Sequence, residues 1–305
     1  MKKFFAVFMI LVGMLFADHK IEVVGNIAIL KQIDGEIFAG TDAGKLFRYT
    51  HGDENATQIF ELPKIKSYVD GDIDSKIIDL DKLGDKFALL INGDYMSKVL
   101  GILENGELKT FTPPITGIKK LIFFDENTLI LLGIGSEIIY YDINSQKVTF
   151  EYKISDSPFG GVFFDREKNT LMLSNEGGVI YFFDAVNKKF LRKKSIQKDN
   201  IFSVAFYGDR AIAGSNDKSC YYENGAFSKF FDAGFLVYSV ALNDKFGAFT
   251  DENGINIINV DGEIIKKIEY NGEIINNMTF YDDYLIGAGY DKTIHFWRYK
   301  WIFQA

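Results

Sequence analysis

The chain has 305 residues, 47 % of them hydrophobic, with 34 Lys and Arg against 42 Asp and Glu and a formal charge of −8. That apolar content excludes wholesale disorder. The acidic balance argues against nucleic acid, whose binding depends on clustered Lys and Arg, and against an anionic membrane surface.

The N-terminus opens with Lys2 and Lys3, followed by an uncharged apolar run over residues 4–16 and the small Ala17 before the polar Asp18-His19-Lys20. This order predicts a secretory signal peptide at 1–17. The run is shorter than the roughly 20 residues of a spanning helix. The position two before Ala17 is Leu15 rather than a small residue, and no Cys marks a lipoprotein site. Removing 1–17 takes the formal charge from −8 to −10 and leaves a mature chain, 18–305, with no comparable apolar run. The expected location is the periplasm, with no membrane contact after cleavage and a monomeric state.

From residue 18 onward nearly every apolar stretch is short, rich in Ile, Val, Phe and Tyr, and bounded by Gly, Asn or Asp, which predicts an all-β protein. An orphan strand, Ile21-Glu22-Val23-Val24, comes first. Seven copies of one plan follow: an apolar strand, a polar turn, a second apolar strand ending in small residues, a tight turn, and an aromatic-rich third strand. The turns before the second strand fall at Gly35, Asp85, Asn127, Asn169, Asp209, Asp244 and Asp283, with intervals of 50, 42, 42, 40, 35 and 39 residues. Four-stranded propeller blades repeat at about 40–45 residues, so the spacing predicts a seven-bladed β-propeller. The last copy has three clear strands and a short tail, Trp301 to Ala305. The orphan strand is therefore expected to pair into the last blade and close the ring.

The blades resemble the WD40 repeat family. Where that family ends its third strand in Trp-Asp, this chain has Tyr141-Asp142, Phe183-Asp184 and Trp297-Arg298. Asp42, Asp217, Asp251 and Asp291 match the Asp of the turn before the third strand, and the resemblance gives them an architectural role. The family's Gly-His before the first strand is matched in no blade. Its buried hydrogen-bond network is then lost, and packing is expected to carry more of the stability. In length, export, architecture and Lys- and Asn-rich, Ala-poor wording, the chain is also similar to the accessory proteins encoded with some bacterial periplasmic nitrate reductases. That similarity implies subunits of the reductase as partners and a role in maturation, docking or electron delivery.

Chemistry-bearing patterns are few. His19, His51 and His295 are the only histidines, and none has a second His at metal-ligand spacing. No Ser lies in a Gly-x-Ser-x-Gly elbow, and without a paired His a Ser-His-Asp triad has no base. Asn175-Glu176-Gly177-Gly178 lies between strands, so it is a hairpin turn rather than a phosphate cradle. Trp297 and Trp301 are too few for the tryptophan-rich docking repeats of quinone-dependent propellers. Asp70-Gly71-Asp72-Ile73-Asp74 opens like a calcium loop, but Ser75 and Asp81 stand where an EF-hand requires Gly and a bidentate Glu; a solvated loop is the expectation. Cys220, the sole cysteine, lies in an apolar strand and reads as a buried small hydrophobe. The 47 aromatic residues read as packing between blades. No catalytic, cofactor-binding or metal residue is assigned. The expectation is a non-catalytic protein-binding scaffold, with the insert from Thr50 to Ser75 as its contact surface. The alternatives are a periplasmic propeller enzyme, lactonase-like or a metal-dependent hydrolase, or an envelope-assembly scaffold.

Overall fold

The computed structural model describes residues 18–299; the signal peptide expected at 1–17 and the tail from Lys300 lie outside them. Seven four-stranded antiparallel sheets follow one another around a ring, forming a β-propeller. Blades 1 to 6 occupy residues 27–61, 77–111, 118–153, 159–195, 201–232 and 240–269. Each runs in chain order from an inner strand at the central channel to an outer strand at the rim.

Blade 7 takes three strands from the C-terminal end, Asn277–Tyr281, Tyr284–Ala288 and Thr293–Arg298, and its outer strand from the N-terminus, His19–Glu22. Ile21 pairs with Ile294 and His19 with Phe296, as ring closure requires. The closing strand begins two residues earlier than the sequence pattern placed it. Pairing stops at Glu22, Val23 N–H donates to the Lys292 carbonyl at 2.9 Å, and Val24 is already exposed. Gly25, at φ 88°, then turns the chain into blade 1.

Position within the blade explains the residue pattern. Second and third strands are covered on both faces by neighbouring blades, so they read as continuous apolar runs, as in Thr128–Gly133 and Glu137–Asp142. Outer strands face solvent: Lys189–Ser195 is exposed along almost its whole length, and its four cations protect the edge from pairing with another chain. The buried apolar side chains form seven clusters, one at each blade–blade interface. The one that closes the ring joins Ile21 and Phe296 of blade 7 to Leu30 and Phe47 of blade 1. Cys220 is fully buried in the cluster between blades 5 and 6, and burial pushes its thiol pKa up.

The inner strands share a defect that shapes the channel. In blades 1, 2, 3 and 5 the ladder skips one residue near the start of the strand: Ala28, Ile78, Lys119 and Phe202 have no partner in the second strand. Such a bulge re-aims the residues beside it. Blade 4 slips at Gly160-Gly161 instead. A Cβ at Gly161 would lie 2.8 Å from the Phe202 carbonyl oxygen, so the backbones of blades 4 and 5 can approach only with glycine there.

Candidate docking face and central channel

Strand direction alternates, so the links from second to third strands and from each outer strand to the next blade emerge on one face. The widest link, between blades 1 and 2, carries an extra hairpin, Ile65–Lys66 with Asp72–Ile73. It accounts for the long first interval of the repeat. Of the insert expected from Thr50 to Ser75, residues 57–61 are the outer strand of blade 1, and only the part after Glu61 projects from the blade.

The hairpin leans on the 93–97 loop of blade 2. Lys66 N–H donates to Asp94 Oδ1 at 2.8 Å, and the Tyr68 and Tyr95 rings lie 4.6 Å apart. Tyr68 and Val69 at its tip are 82 % and 85 % exposed, and Tyr95 and Met96 stand exposed beside them. Tyr95 and Met96 are consecutive non-glycine residues with φ of 57° and 59°. That left-handed backbone is costly for L-residues, more so in a pair. Other loops of the same face also expose large apolar side chains: Val24, Ile134, Phe235, Ile274 and Tyr290.

The channel below this face holds a cavity of about 350 Å³ lined by inner strands of six blades. One wall is neutral and polar, with Ser203, Ser239, Asn276 and Thr279, and Phe202 stacks on Tyr238 at 5.1 Å. The opposite wall is charged. Asp79, with no exposed side-chain surface, receives Lys31 Nζ at 3.0 Å, Lys120 Nζ at 3.4 Å and the Leu121 backbone N–H at 2.9 Å. Burial alone would push its pKa up, but Lys120, Lys31 and the Leu121 N–H together hold it below the ordinary carboxylate value. Two residues on, Asp81 accepts from Phe123 N–H at 2.7 Å and from Arg166 Nη2 of blade 4 at 2.7 Å. These two carboxylates satisfy N–H groups on the unpaired edge of the next inner strand. Asn277 does the same for Leu30 N–H, and Ser203 for Val240 N–H. No sequence motif marks this set as a whole. Its trace is the alternation Ile77-Ile78-Asp79-Leu80-Asp81, carboxylates every second residue in an otherwise apolar strand.

The four turn aspartates are architectural in the structure. Asp42 accepts from Asn26 N–H at 2.7 Å and from the Asn26 side-chain amide at 2.9 Å. Asn26 thus occupies, with Gly25, the place of the family's Gly-His. Asp217 accepts from Lys198 N–H and Ser219 N–H, while Asn216 donates to Asp199. Asparagine makes such contacts in blades 1 and 5, which corrects, for those two blades, the expectation that the hydrogen-bond network is lost. Asp251 and Asp291 accept from backbone N–H groups two residues further on.

The three histidines gather at the closing seam. His19 stacks on Phe296 at 4.1 Å, His51 lies 3.3 Å from Asp282, and His295 stacks on Trp297 with Tyr270 Oη 3.3 Å from its Nε2. Asp70, Asp72 and Asp74 lie exposed along the hairpin, with Asp74 3.9 Å from Lys64 Nζ. Among the described residues no three His, Cys, Asp or Glu side chains converge as a metal-binding group, and no helix is long and apolar enough to cross a membrane.

No family model matches the chain, and no curated protein matches it. Solved structures do. One chain of the crystal structure of a mitotic checkpoint complex superposes with a TM-score of 0.73 at 13 % identity, covering 93 % of this chain and 92 % of that one. At that identity the likeness establishes the fold. A fold shared with 1537 chains of solved structures does not select a function, which must be argued from surfaces.

Proposed function

We propose that this protein is a non-catalytic, periplasmic docking scaffold, exported by the signal peptide at 1–17 and serving as a NapL-like accessory protein of the periplasmic nitrate reductase system. The observation that carries the docking role is the apolar knob of Tyr68, Val69, Tyr95 and Met96, set on a rigid ring and held partly in strained backbone. Exposed aromatic and Met side chains on a preformed frame are what protein interfaces use as anchors. Left-handed backbone at two bulky residues costs stability and fits a surface shaped for contact. The periplasmic and reductase assignments rest on the N-terminal Lys2-Lys3-apolar-Ala17 pattern and on the likeness in length and architecture.

Affinity purification of the exported protein from periplasm tests the reading. A reductase subunit should be retained by the wild-type chain and lost when Tyr68 and Tyr95 are both replaced by Ser, and a deletion strain should have reduced nitrate reductase activity. Unchanged activity in that strain, with no reductase subunit retained, would defeat the nitrate reductase assignment. Retention of no protein at all would defeat the scaffold.

A further inference from the structure

Beside the knob, whose own hairpin exposes Asp70, Asp72 and Asp74, the face carries a separate group of lysines at the channel mouth. Lys98 Nζ donates to Asn92 Oδ1 at 3.3 Å, and the same Asn92 side chain reaches Met96 Sδ at 3.9 Å, so the cations adjoin the knob directly. Lys76 lies with its Nζ 4.6 Å from the ring centre of Tyr290. Lys119 is the unpaired bulge residue at the top of the blade 3 inner strand and is exposed. Among the described residues Lys76, Lys98 and Lys119 form no ion pair within 4 Å. Lys76 and Lys98 flank Asn92, which donates its N–H to the Lys76 carbonyl at 3.0 Å and pairs with Lys98, and Lys119 lies at the head of the inner strand packed against that of blade 2. Burial, then Lys119 and Lys76, lower the pKa of Lys98. Deeper in the channel, Lys31 and Lys120 share the single carboxylate of Asp79, leaving one positive charge in excess. The cations thus stand in two tiers on the blade 1–3 side, while the opposite wall is neutral.

Unpaired like charges held together cost free energy unless an anion joins them. We propose that this sector binds an acidic segment of a partner protein, its carboxylates on Lys76, Lys98 and Lys119 and its apolar side chains against Tyr68 and Met96. The inference rests on the docking role proposed above and specifies the partner's chemistry. Long-range attraction from the Lys tiers would also speed encounter with a negatively charged partner, which the net charge of −8 would otherwise slow.

The test uses the mature protein and two labelled synthetic peptides, one with alternating Glu and Phe and its twin with Gln for every Glu, followed by fluorescence anisotropy. The acidic peptide should bind about tenfold tighter than the twin at low salt. That preference should shrink towards about 0.15 M salt, where the screening length is about 8 Å. A Lys98→Gln/Lys119→Gln variant with unchanged melting temperature should lose the preference. A Lys198→Gln/Lys218→Gln variant, on the blade 4–5 side of the same face, should keep it. Should the double variant not fold, Lys119→Gln alone, at an exposed position, must reduce the preference. Equal binding of the two peptides, binding of neither, or equal loss in the control variant overturns the proposal. A photo-crosslinker at Tyr68 separates the two failures. Adducts with a periplasmic protein that persist in the Lys98→Gln/Lys119→Gln variant leave docking intact and defeat the acidic reading; absence of any adduct in the wild type defeats docking itself.

Discussion

Asp79 is the residue on which the channel wall turns. Its carboxylate is buried, yet it holds two ammonium groups and a backbone N–H from the two blades on either side of its own. Removing one partner of a buried ion pair leaves uncompensated charge, and such changes cost about 3–5 kcal/mol. Asp79→Ala should therefore lower stability by about that amount in denaturant titration, whereas Asp79→Asn, which keeps an acceptor for Leu121, should cost less. The pH dependence follows from its depressed pKa. The contribution of Asp79 is fully present above the unfolded-state value near 3.8 and is lost as pH falls through the lower folded value, so the wild type and Asp79→Asn should converge only in strong acid. Tyr95 and Met96 present the opposite case. Each holds a left-handed conformation that costs roughly 1–2 kcal/mol for an L-residue, part of which glycine's own entropy cost would offset. Met96→Gly should then leave the melting temperature unchanged or raise it while weakening partner capture. A fall in both would mean that the strain supports the fold rather than the contact.

The closing strand is the element with most at stake for its size. Four residues, His19–Glu22, supply the outer edge of blade 7. Ile21 enters the cluster that joins blades 7 and 1, and Asp18 Oδ1 accepts from Arg298 N–H at 2.8 Å. Trimming the chain through Val24 exposes the third strand of blade 7 as an open edge and opens that cluster, so a large drop in melting temperature is expected. Ile21→Ala alone should cost about 2–5 kcal/mol. An unchanged melting temperature after trimming would mean that closure is dispensable. The seam should also be acid-sensitive. Burial lowers the pKa of His19, with His51 adding to the effect and Asp18 opposing it. Burial likewise lowers that of His295, with Lys20 adding and Asp291 opposing. The unfolded chain therefore binds these protons more readily than the folded one. Their full contribution is present above the ordinary histidine value of 6.5 and declines as pH falls towards the lower folded values. Thermal melts between about pH 7 and pH 5 should show this decline, and His295→Gln should flatten part of it.

At the scale of the whole molecule, what could be read in the chain and what could not divide along physical lines. Blade number, closure and the buried Cys220 were legible because each blade repeats the same burial pattern, and burial selects residue type strongly. The extra hairpin registered only as a long interval, since two-residue strands such as Ile65–Lys66 carry no periodicity. The Lys tiers and the Asp79 bridges were not legible: Lys31, Asp79 and Lys120 are far apart in sequence and meet only because the ring brings three inner strands together. Fold and the proposed function thus draw on different residues, with seven apolar interfaces supporting the ring and recognition assigned by that proposal to the upper loops. This separation can be tested by replacing residues 65–73 with a short Gly-Ser link. The hairpin adds its knob outside the seven sheets, and only Ile65 of its two strands is buried. Burying one such side chain is worth about 1.5–3 kcal/mol, which bounds the expected loss of stability. Binding should suffer far more, because Tyr68 and Val69 leave and Tyr95 loses the ring packed against it. Calorimetry and partner capture on the same preparation decide between the two outcomes. A ring that melts at nearly its original temperature but retains no partner locates recognition in the hairpin. A ring that still captures its partner moves recognition to the remaining loops, and one that fails to fold makes the hairpin part of the blade 1–2 interface.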